Sequence, residues 1–515
     1  MLVKVFGSAV YGVEAITITT EVNWMSTGIG IVIVGLPDNA VKESLQRIES
    51  TIKSLGFLMP RTKVVVNMAP ADIKKSGTAF DLPIAIGILA ASELISNQEA
   101  IENYLIMGEL SLDGELRPIK GALPIAIQAR KEGFKGLILP ETNAREAAIV
   151  NNLNVYGVEN IEEVINFFAN EEKGIKPAVV NTREEFYNSQ CDYEIDFAEV
   201  KGQENIKRAL EIAAAGGHNA ILIGPPGAGK TMLAKRLPTI LPPLTLHEAL
   251  ETTKIHSVAG KLPENSTLVS KRPFRSPHHT ISDVALVGGG GNPQPGEISL
   301  AHNGVLFLDE LPEFKRTVLE VMRQPMEERR VTISRAKIAL DFPASFMLIA
   351  SMNPCPCGFF NHPEKECTCP PGAVQKYLNK ISGPLLDRID LHVEVTPVPF
   401  NELSSLKSSE NSASIRERVI KARELQGDRY KNNPGIYCNA QISSKMLKEI
   451  CVIDTIGQNL LKAAMEKLNL SARAYDRILK VSRTIADLTG SEKIKPEHLA
   501  EAIQYRSLDR EGWGG

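Results

Sequence analysis

The stretch that most constrains this 515-residue chain is Gly224-Pro-Pro-Gly-Ala-Gly-Lys230-Thr231. It follows a wholly apolar run, Ala220–Ile223, and precedes helix-like residues 232–237, so the pattern G-x-x-x-x-G-K-S/T stands in its strand–loop–helix context. The glycines let backbone N–H groups turn inward on phosphate oxygens, and the following helix N-terminus adds its dipole. Gly224, Pro225, Pro226, Gly227, Ala228 and Gly229 form that loop. Lys230 would bridge the β- and γ-phosphates, and the Thr231 hydroxyl would hold Mg²⁺. A second apolar run, Val305–Leu308, ends in Asp309 and Glu310, and carboxylates at a strand's C-terminal edge are where α/β sites form. Asp309 would hold Mg²⁺, directly or through water, and Glu310 would polarise an attacking water. The expectation is an ATPase or GTPase.

Both runs fall in a central block, residues 191–397, that alternates strand and helix signals; residues 347–350 read as a third strand buried on both faces. Residues 1–170 mix strand-like runs at 29–34, 63–67, 104–107 and 136–139 with helical periodicity at 39–55 and 82–92. Residues 171–190 show no clear period and read as a linker. A Ser-rich loop or hinge at 400–414 precedes helices at 415–425, 445–450, 458–468, 474–488 and Pro496–Gln504, so 398–515 reads as a helical lid. The expected class is α/β: an α+β N-terminal domain, a parallel-sheet core and a C-terminal helical lid.

Composition excludes several alternatives. With 43% hydrophobic and 23% charged residues the chain is not wholly disordered. A formal net charge of −3 rules out holding nucleic acid by bulk charge, so such a contact needs a local patch. No apolar run reaches the roughly 18 residues of a membrane helix. The N-terminus, with Lys4 and Glu14 and no sustained apolar stretch, does not read as a signal peptide. Seven cysteines are too few for a disulfide scaffold and point to a reducing, cytoplasmic compartment. Four of them, Cys355, Cys357, Cys367 and Cys369, crowd together in an insert at 355–369. Four thiolates closing a short loop can make a tetrahedral structural Zn²⁺ site; reduced free thiols or a redox pair are the alternatives. His278 and His279 lack a third partner nearby in sequence and read as loop histidines.

Accessory residues sharpen the class. Glu199-Val-Lys-Gly202-Gln203 precedes the phosphate loop, Asn353 ends the third strand, Leu385-Leu-Asp387-Arg388-Ile-Asp390 offers an arginine, and Ser471-Ala-Arg473 begins a lid helix. With Pro273-Phe-Arg-Ser-Pro-His-His-Thr280, Asp283-Val-Ala-Leu-Val-Gly-Gly-Gly290, Pro295-Gly-Glu-Ile-Ser-Leu-Ala-His302 and Gly383-Pro-Leu-Leu-Asp-Arg388, the chain resembles the AAA+ ATPases of the magnesium-chelatase-like branch. Within that branch it resembles the ComM/YifB family over essentially its whole length. The resemblance implies ATP and Mg²⁺ as ligands, with Asn353 as sensor 1, Arg388 as arginine finger, Arg473 as sensor 2, and Val200, Gly202 and Gln203 against adenine. The blander readings are a turn residue before Pro354 for Asn353 and a structural ion pair for Arg388. A finger acts on a neighbour's nucleotide, so the resemblance also implies a homo-oligomeric ring, usually a hexamer. The family's role is helicase-like branch migration in homologous recombination of incoming DNA, with single-stranded or branched DNA as partner. A protein-remodelling machine, a metal-chelatase motor subunit and a nucleotide-switched scaffold are the rivals.

Residues 1–170 resemble the ribosomal-S5-like domain shared with the proteolytic domain of Lon, through Gly77-Thr-Ala-Phe-Asp-Leu-Pro83, Gly108-Glu-Leu-Ser-Leu-Asp-Gly114, Pro118-Ile-Lys-Gly121 and Ile138-Leu-Pro140. A Ser–Lys protease needs a hydroxyl and an amine within hydrogen-bond reach. On this alignment the nucleophile position is Ala79 and the lysine position falls at 123–125, from Leu123 to Ile125, where no amine exists. Ser76, Thr78 and Lys120 read as surface polar residues. The expectation is the fold without the peptidase, serving assembly or substrate loading.

One further element concerns DNA. Residues 331–334 and 338–342 read as two short strands around Arg335-Ala-Lys337, with Arg329 and Arg330 upstream. In the resemblance this is the presensor-1 hairpin, which points into the pore of a ring, where Arg335 and Lys337 would form a basic collar for phosphates.

Overall fold

In the computed structural model the chain begins with two strands absent from the expectations above, β1 (Leu2–Tyr11) and β2 (Glu14–Trp24). They pair antiparallel from Leu2↔Asn23 to Tyr11↔Glu14, joined at Gly12, whose φ of +65° suits a two-residue hairpin turn. Residues 2–506 are described, apart from 26, 60, 61, 96, 264–266, 292, 336, 337, 363, 399–408 and 469. Then follow β3 (Ile31–Val34), α1 (Asn39–Ser54), β4 (Val64–Ala69), α2 (Asp81–Ala91), β5 (Tyr104–Ile106), α3 (Ala122–Glu132), β6 (Gly136–Pro140) and β7 (Asn154–Val158). The seven strands form one sheet in the order β3-β4-β2-β1-β5-β6-β7. Helix α1 starts where the Asp38 side chain accepts the Val41 N–H at 2.9 Å. Helix α2 is buried along its whole length, which its uninterrupted apolar sequence allows.

The stretch expected to be an aperiodic linker contains α4 (Thr182–Ser189). Asn181 caps it, and Phe186, only 2% exposed, anchors it to the N-terminal core. One cap and one buried aromatic ring suffice for two turns that carry no sequence period.

The central block holds α5 (Glu204–Gly216), β8 (Ala220–Ile223), α6 (Lys230–Ile240), α7 (Leu246–Ala259), β9 (Phe274–Arg275), β10 (Val305–Leu308), α8 (Arg323–Glu328), β11 (Arg330–Arg335), β12 (Ile338–Pro343), β13 (Met347–Met352) and β14 (Leu391–Glu394). Five of these strands make an all-parallel sheet, β9-β10-β13-β8-β14. In β8, Ala220 and Leu222 enter the core beneath one face while Ile221 and Ile223 enter the core beneath the other. Burial on both faces is why the strand reads as a continuous apolar run. Truncating such a residue, for instance Leu308→Ala, removes about 2–5 kcal/mol. The strands β11 and β12 form a separate antiparallel hairpin, in register from Arg330↔Pro343 to Arg335↔Ile338.

The helical region opens with α9 (Ser412–Tyr430), capped by Asn411, so the expected Ser-rich loop ends three residues sooner than its reading to 414. The cap side chain commits the backbone to a helix at Ser412 despite three serines nearby. Later come α10 (Ala472–Leu488) and α11 (Pro496–Gln504), which pack with α5 and one face of the parallel sheet in a shared core.

The N-terminal sheet and the central block meet along α3 and α7. Gly121 N–H donates to Ser257 carbonyl at 3.1 Å, and Glu146 accepts both the Leu123 N–H at 2.9 Å and the Ser257 hydroxyl. Lys254 pairs with Glu14 at 3.2 Å. The β1–β2 turn reaches the hairpin, where a Cβ built on Gly12 would lie 3.6 Å from Leu340. Among the described residues no helix is long and apolar enough to cross a membrane.

Candidate nucleotide site

Strand β8 sits between β13 and β14, so the loop after it emerges at the sheet's C-terminal edge with a strand on either side. Gly224 N–H donates to Met352 carbonyl at 3.2 Å and ties the loop to β13. A side chain at Gly224 would strike the Val395 carbonyl, and Gly227 and Gly229 hold φ of +80° and +82°, where only glycine sits without strain. Helix α6 then begins at Lys230.

Lys230 folds back over the loop. Its Nζ donates to Gly224 carbonyl at 2.6 Å, Pro225 carbonyl at 2.9 Å and Asn353 Oδ1 at 3.1 Å. All three partners are neutral. Burial draws the ammonium below its ordinary pKa, while Asp309 and Glu310 oppose that shift. Thr231 Oγ1 donates to Asp309 Oδ2 at 2.8 Å, and Asp309 Oδ1 takes the Ser351 hydroxyl. Residues 226–232 of the loop and α6, with Asp309, Glu310 and 351–353, line a cleft of about 410 Å³. A buried cation that has no carboxylate partner among the described residues, inward glycines and a hydroxyl facing a carboxylate are the donor set a polyphosphate with a hard divalent cation requires.

Gln203, in the left-handed region at φ +58°, links the loop to the strand end: its Nε2 donates to Ala228 carbonyl at 2.9 Å and Thr396 carbonyl at 3.3 Å. Gly202 lies beside it at φ +64°, and Val200 is buried with its carbonyl accepting the Ser409 hydroxyl at 2.6 Å. Gln203 therefore touches the loop, whereas Val200 and Gly202 lie outside the lining of the cleft.

Glu310 is a non-glycine residue at φ +55°, a conformation costing about 1–2 kcal/mol, that turns the chain sharply after β10. Two further residues attend this pair, Ser351, which the sequence reading missed, and His279, which it read as a loop histidine. Ser351, on Asp309, was legible as the one hydroxyl in the otherwise apolar run of β13. His279 Nδ1 stands 3.7 Å from Glu310 Oε2, its ring 4.1 Å from that of His278, a contact no local spacing reveals.

Beyond Asn353 the four clustered thiols converge. Sγ of Cys355 lies 3.3 Å from that of Cys357 and 3.7 Å from that of Cys367; Cys357 and Cys367 are 3.5 Å apart. With Cys369 all four ligand atoms lie within 4.8 Å of one another. A tetrahedron with metal–sulfur bonds of about 2.3 Å has edges of about 3.8 Å, so this donor set fits a closed four-thiolate site.

The arginines stand elsewhere. Arg388 is ion-paired with Glu327 rather than with either flanking aspartate, and Arg473, 68% exposed, pairs with Asp387 at 2.6 Å. Neither lines the cleft of its own chain. Arg335 ends β11, although its side chain, like the whole of Lys337, lies outside the described residues. In the N-terminal sheet the Thr78 hydroxyl is bonded to Glu109, Ala79 carbonyl accepts the Gly108 N–H at 2.9 Å, Ser76 is half-buried, and Lys120 is exposed beside Gly260.

A parallel-sheet core with this loop, this acidic strand end and a helical C-terminal region defines the AAA+ class of P-loop proteins. Comparison with known proteins agrees. The family model described as magnesium chelatase, subunit ChlI, matches residues 196–403; a model for subunit ChlI of Mg-chelatase matches 20–143, and one for the ChlI C-terminal region matches 409–506. The chain is 44% identical to competence protein ComM of Haemophilus influenzae over 511 residues, covering 99% of this chain and 98% of that one. It is 42% identical to YifB of Salmonella typhimurium over 508 residues, 98% and 96% of the two chains. A shorter likeness, 32% over 154 residues, joins 27% of this chain to 26% of Lon protease 2 of Bacillus subtilis. The chain belongs to the ComM/YifB family of magnesium-chelatase-like AAA+ proteins.

Proposed function

We propose that this protein is an ATP hydrolase that assembles as a homo-oligomeric ring, a hexamer, and moves along or remodels single-stranded or branched DNA in recombination. The observation that carries the hydrolase reading is the convergence of Lys230, Thr231, Asp309 and Asn353 on one cleft. The loop N–H groups and Lys230 bind the phosphates, and Thr231 and Asp309 hold Mg²⁺, which neutralises charge on the transferred phosphoryl when bound. Glu310 positions water and takes its proton, Asn353 orients that water, and Gln203 fixes the loop beside the base. Arg388 serves the nucleotide of the adjacent subunit as an arginine finger, and Arg473 acts as sensor 2. Domain limits of 1–170, 191–397 and 398–515, joined by 171–190, serve these roles as a platform, motor and lid. The four thiols hold a structural Zn²⁺ at the rim of the motor.

DNA as substrate draws support from the antiparallel hairpin β11–β12, which lies in the chain between β10 and β13 and carries Arg335 at its end. The ComM relative is named a competence protein, which accords with incoming DNA. The partial likeness to a Lon protease favours a second reading, a protein-remodelling ring. ATP hydrolysis measured with single-stranded DNA, branched DNA or unfolded protein separates the two: stimulation by DNA is expected, and stimulation by unfolded protein alone overturns the DNA reading.

A further inference from the structure

Arg388 is held in an unusual way. The acidic residues on either side of it are each taken by an arginine of α10, one turn apart: Asp387 Oδ2 meets Arg473 at 2.6 Å, and Asp390 Oδ1 meets Arg477 at 3.0 Å. Asp390 also faces His218 Nδ1 at 3.1 Å, and the Asn219 amide donates to Arg388 carbonyl at 3.0 Å. The backbone around Arg388 is therefore pinned from both sides. What can move is its side chain.

That side chain is largely buried, 15% exposed. Nη1 donates to Pro384 carbonyl at 2.6 Å, Nη2 pairs with Glu327, and Nε is buried without a hydrogen-bond partner among the described residues. Glu327 is 60% exposed and stands on α8, three residues before β11. Between them Arg329, at φ +56°, donates to Gly435 carbonyl at 2.8 Å. The carboxylate that holds Arg388 is thus continuous with the base of the hairpin.

We propose that Glu327 is a positioning residue: it keeps Arg388 withdrawn, and displacement of the hairpin by bound DNA draws Glu327 away and frees the guanidinium for the adjacent subunit's nucleotide. This rests on the reading of Arg388 as a finger acting in trans. With Nη1 on the Pro384 carbonyl, Nη2 on Glu327 and only 15% of the side chain exposed, the guanidinium has to leave Glu327 before it can extend to a phosphate held by another subunit. Holding Arg388 against Glu327 subtracts from the population competent for hydrolysis, and a carboxylate this exposed gives a modest bias, not a block.

The test is steady-state ATP hydrolysis by full-length Glu327→Gln, with and without single-stranded DNA. The basal kcat should rise about three- to five-fold with KM little changed, a five-fold rise being ~1 kcal/mol. The ratio of DNA-stimulated to basal rate should fall correspondingly. In an Arg388→Ala background the same substitution should give no rise, which a merely structural role for Glu327 would not produce. A basal kcat in Glu327→Gln that is unchanged or lowered, while Arg388→Ala alone lowers it, overturns the latch and leaves the finger reading standing. If Arg388→Ala hydrolyses at the wild-type rate, the finger reading falls and the latch with it. An Arg388-dependent rise in a protein that DNA does not stimulate supports the latch and removes DNA as the trigger.

Discussion

Gly358 lies against Pro226: a Cβ built on Gly358 would stand 2.6 Å from Pro226 Cδ, so the thiol-rich insert buttresses the phosphate loop. Gly358 also holds φ +87°. Gly358→Ala is accordingly expected to cost ~1–2 kcal/mol of stability and to weaken ATP binding, because the loop must yield to the new methyl group. Purified protein should contain about one Zn²⁺ per chain, lost in Cys367→Ser with Cys369→Ser. Metal content below a tenth of an equivalent after metal-replete expression would show that the four thiols serve something else.

The cleft separates binding from turnover. Lys230→Ala removes the cation that meets Gly224, Pro225 and Asn353, and titration with a fluorescent nucleotide should find no binding. Glu310→Gln keeps the loop intact, so it should bind ATP while phosphate release slows by about 10²–10⁴-fold. Wild-type turnover in Glu310→Gln would strip Glu310 of its role as base.

How much of this was legible in the sequence depends on the range of the interaction. Strands β8, β10 and β13 announce themselves because both faces are buried, which forces four or more successive apolar residues. Strands β1 and β2 do not, since their buried positions include Gly7, Ser8 and Thr20, with Lys4 and Glu21 between. Pairing across a two-residue turn at Gly12 supplies the order that hydropathy lacks. The loop, Asp309 and Asn353 were legible as motifs. The ties of Arg388 to Glu327, of His279 to Glu310 and of Gly358 to Pro226 were not, because each joins segments that only the folded chain brings together.

At the junction of α3 and α7, pH enters. Burial raises the Glu146 carboxyl above its ordinary 4.5, against hydrogen bonds from Ser257, Leu123 and Asn143 that favour its charged form. The folded state then binds this proton more tightly than the unfolded chain. The group's contribution is full below pH 4.5 and is lost as pH rises through the raised folded value. Glu146→Gln removes the titration, so its Tm should gain on wild type as pH climbs from 4.5 towards neutrality. A Tm difference that stays constant over that window would mean that Glu146 titrates alike in both states.

The hairpin carries the last expectation. Strands β11 and β12 pair over six residues each, and the Thr332 hydroxyl donates to Asp341 across them, so the two strands are held in register as far as Arg335↔Ile338. With a formal charge of −3 on the whole chain, attraction for phosphates must be local. Arg335, which ends β11, and Lys337, two residues on in the sequence, repeated around a ring, would supply it without reading bases. Reversing both, Arg335→Glu with Lys337→Glu, should weaken single-stranded DNA binding by about tenfold or more. It should also flatten the plot of log affinity against log salt by roughly 1.4 for each pair of lost phosphate contacts. Ring integrity, checked by native mass, separates this effect from failed assembly. Unchanged DNA affinity in intact rings would remove the hairpin from the DNA path and favour an unfolded protein as the substrate of the pore.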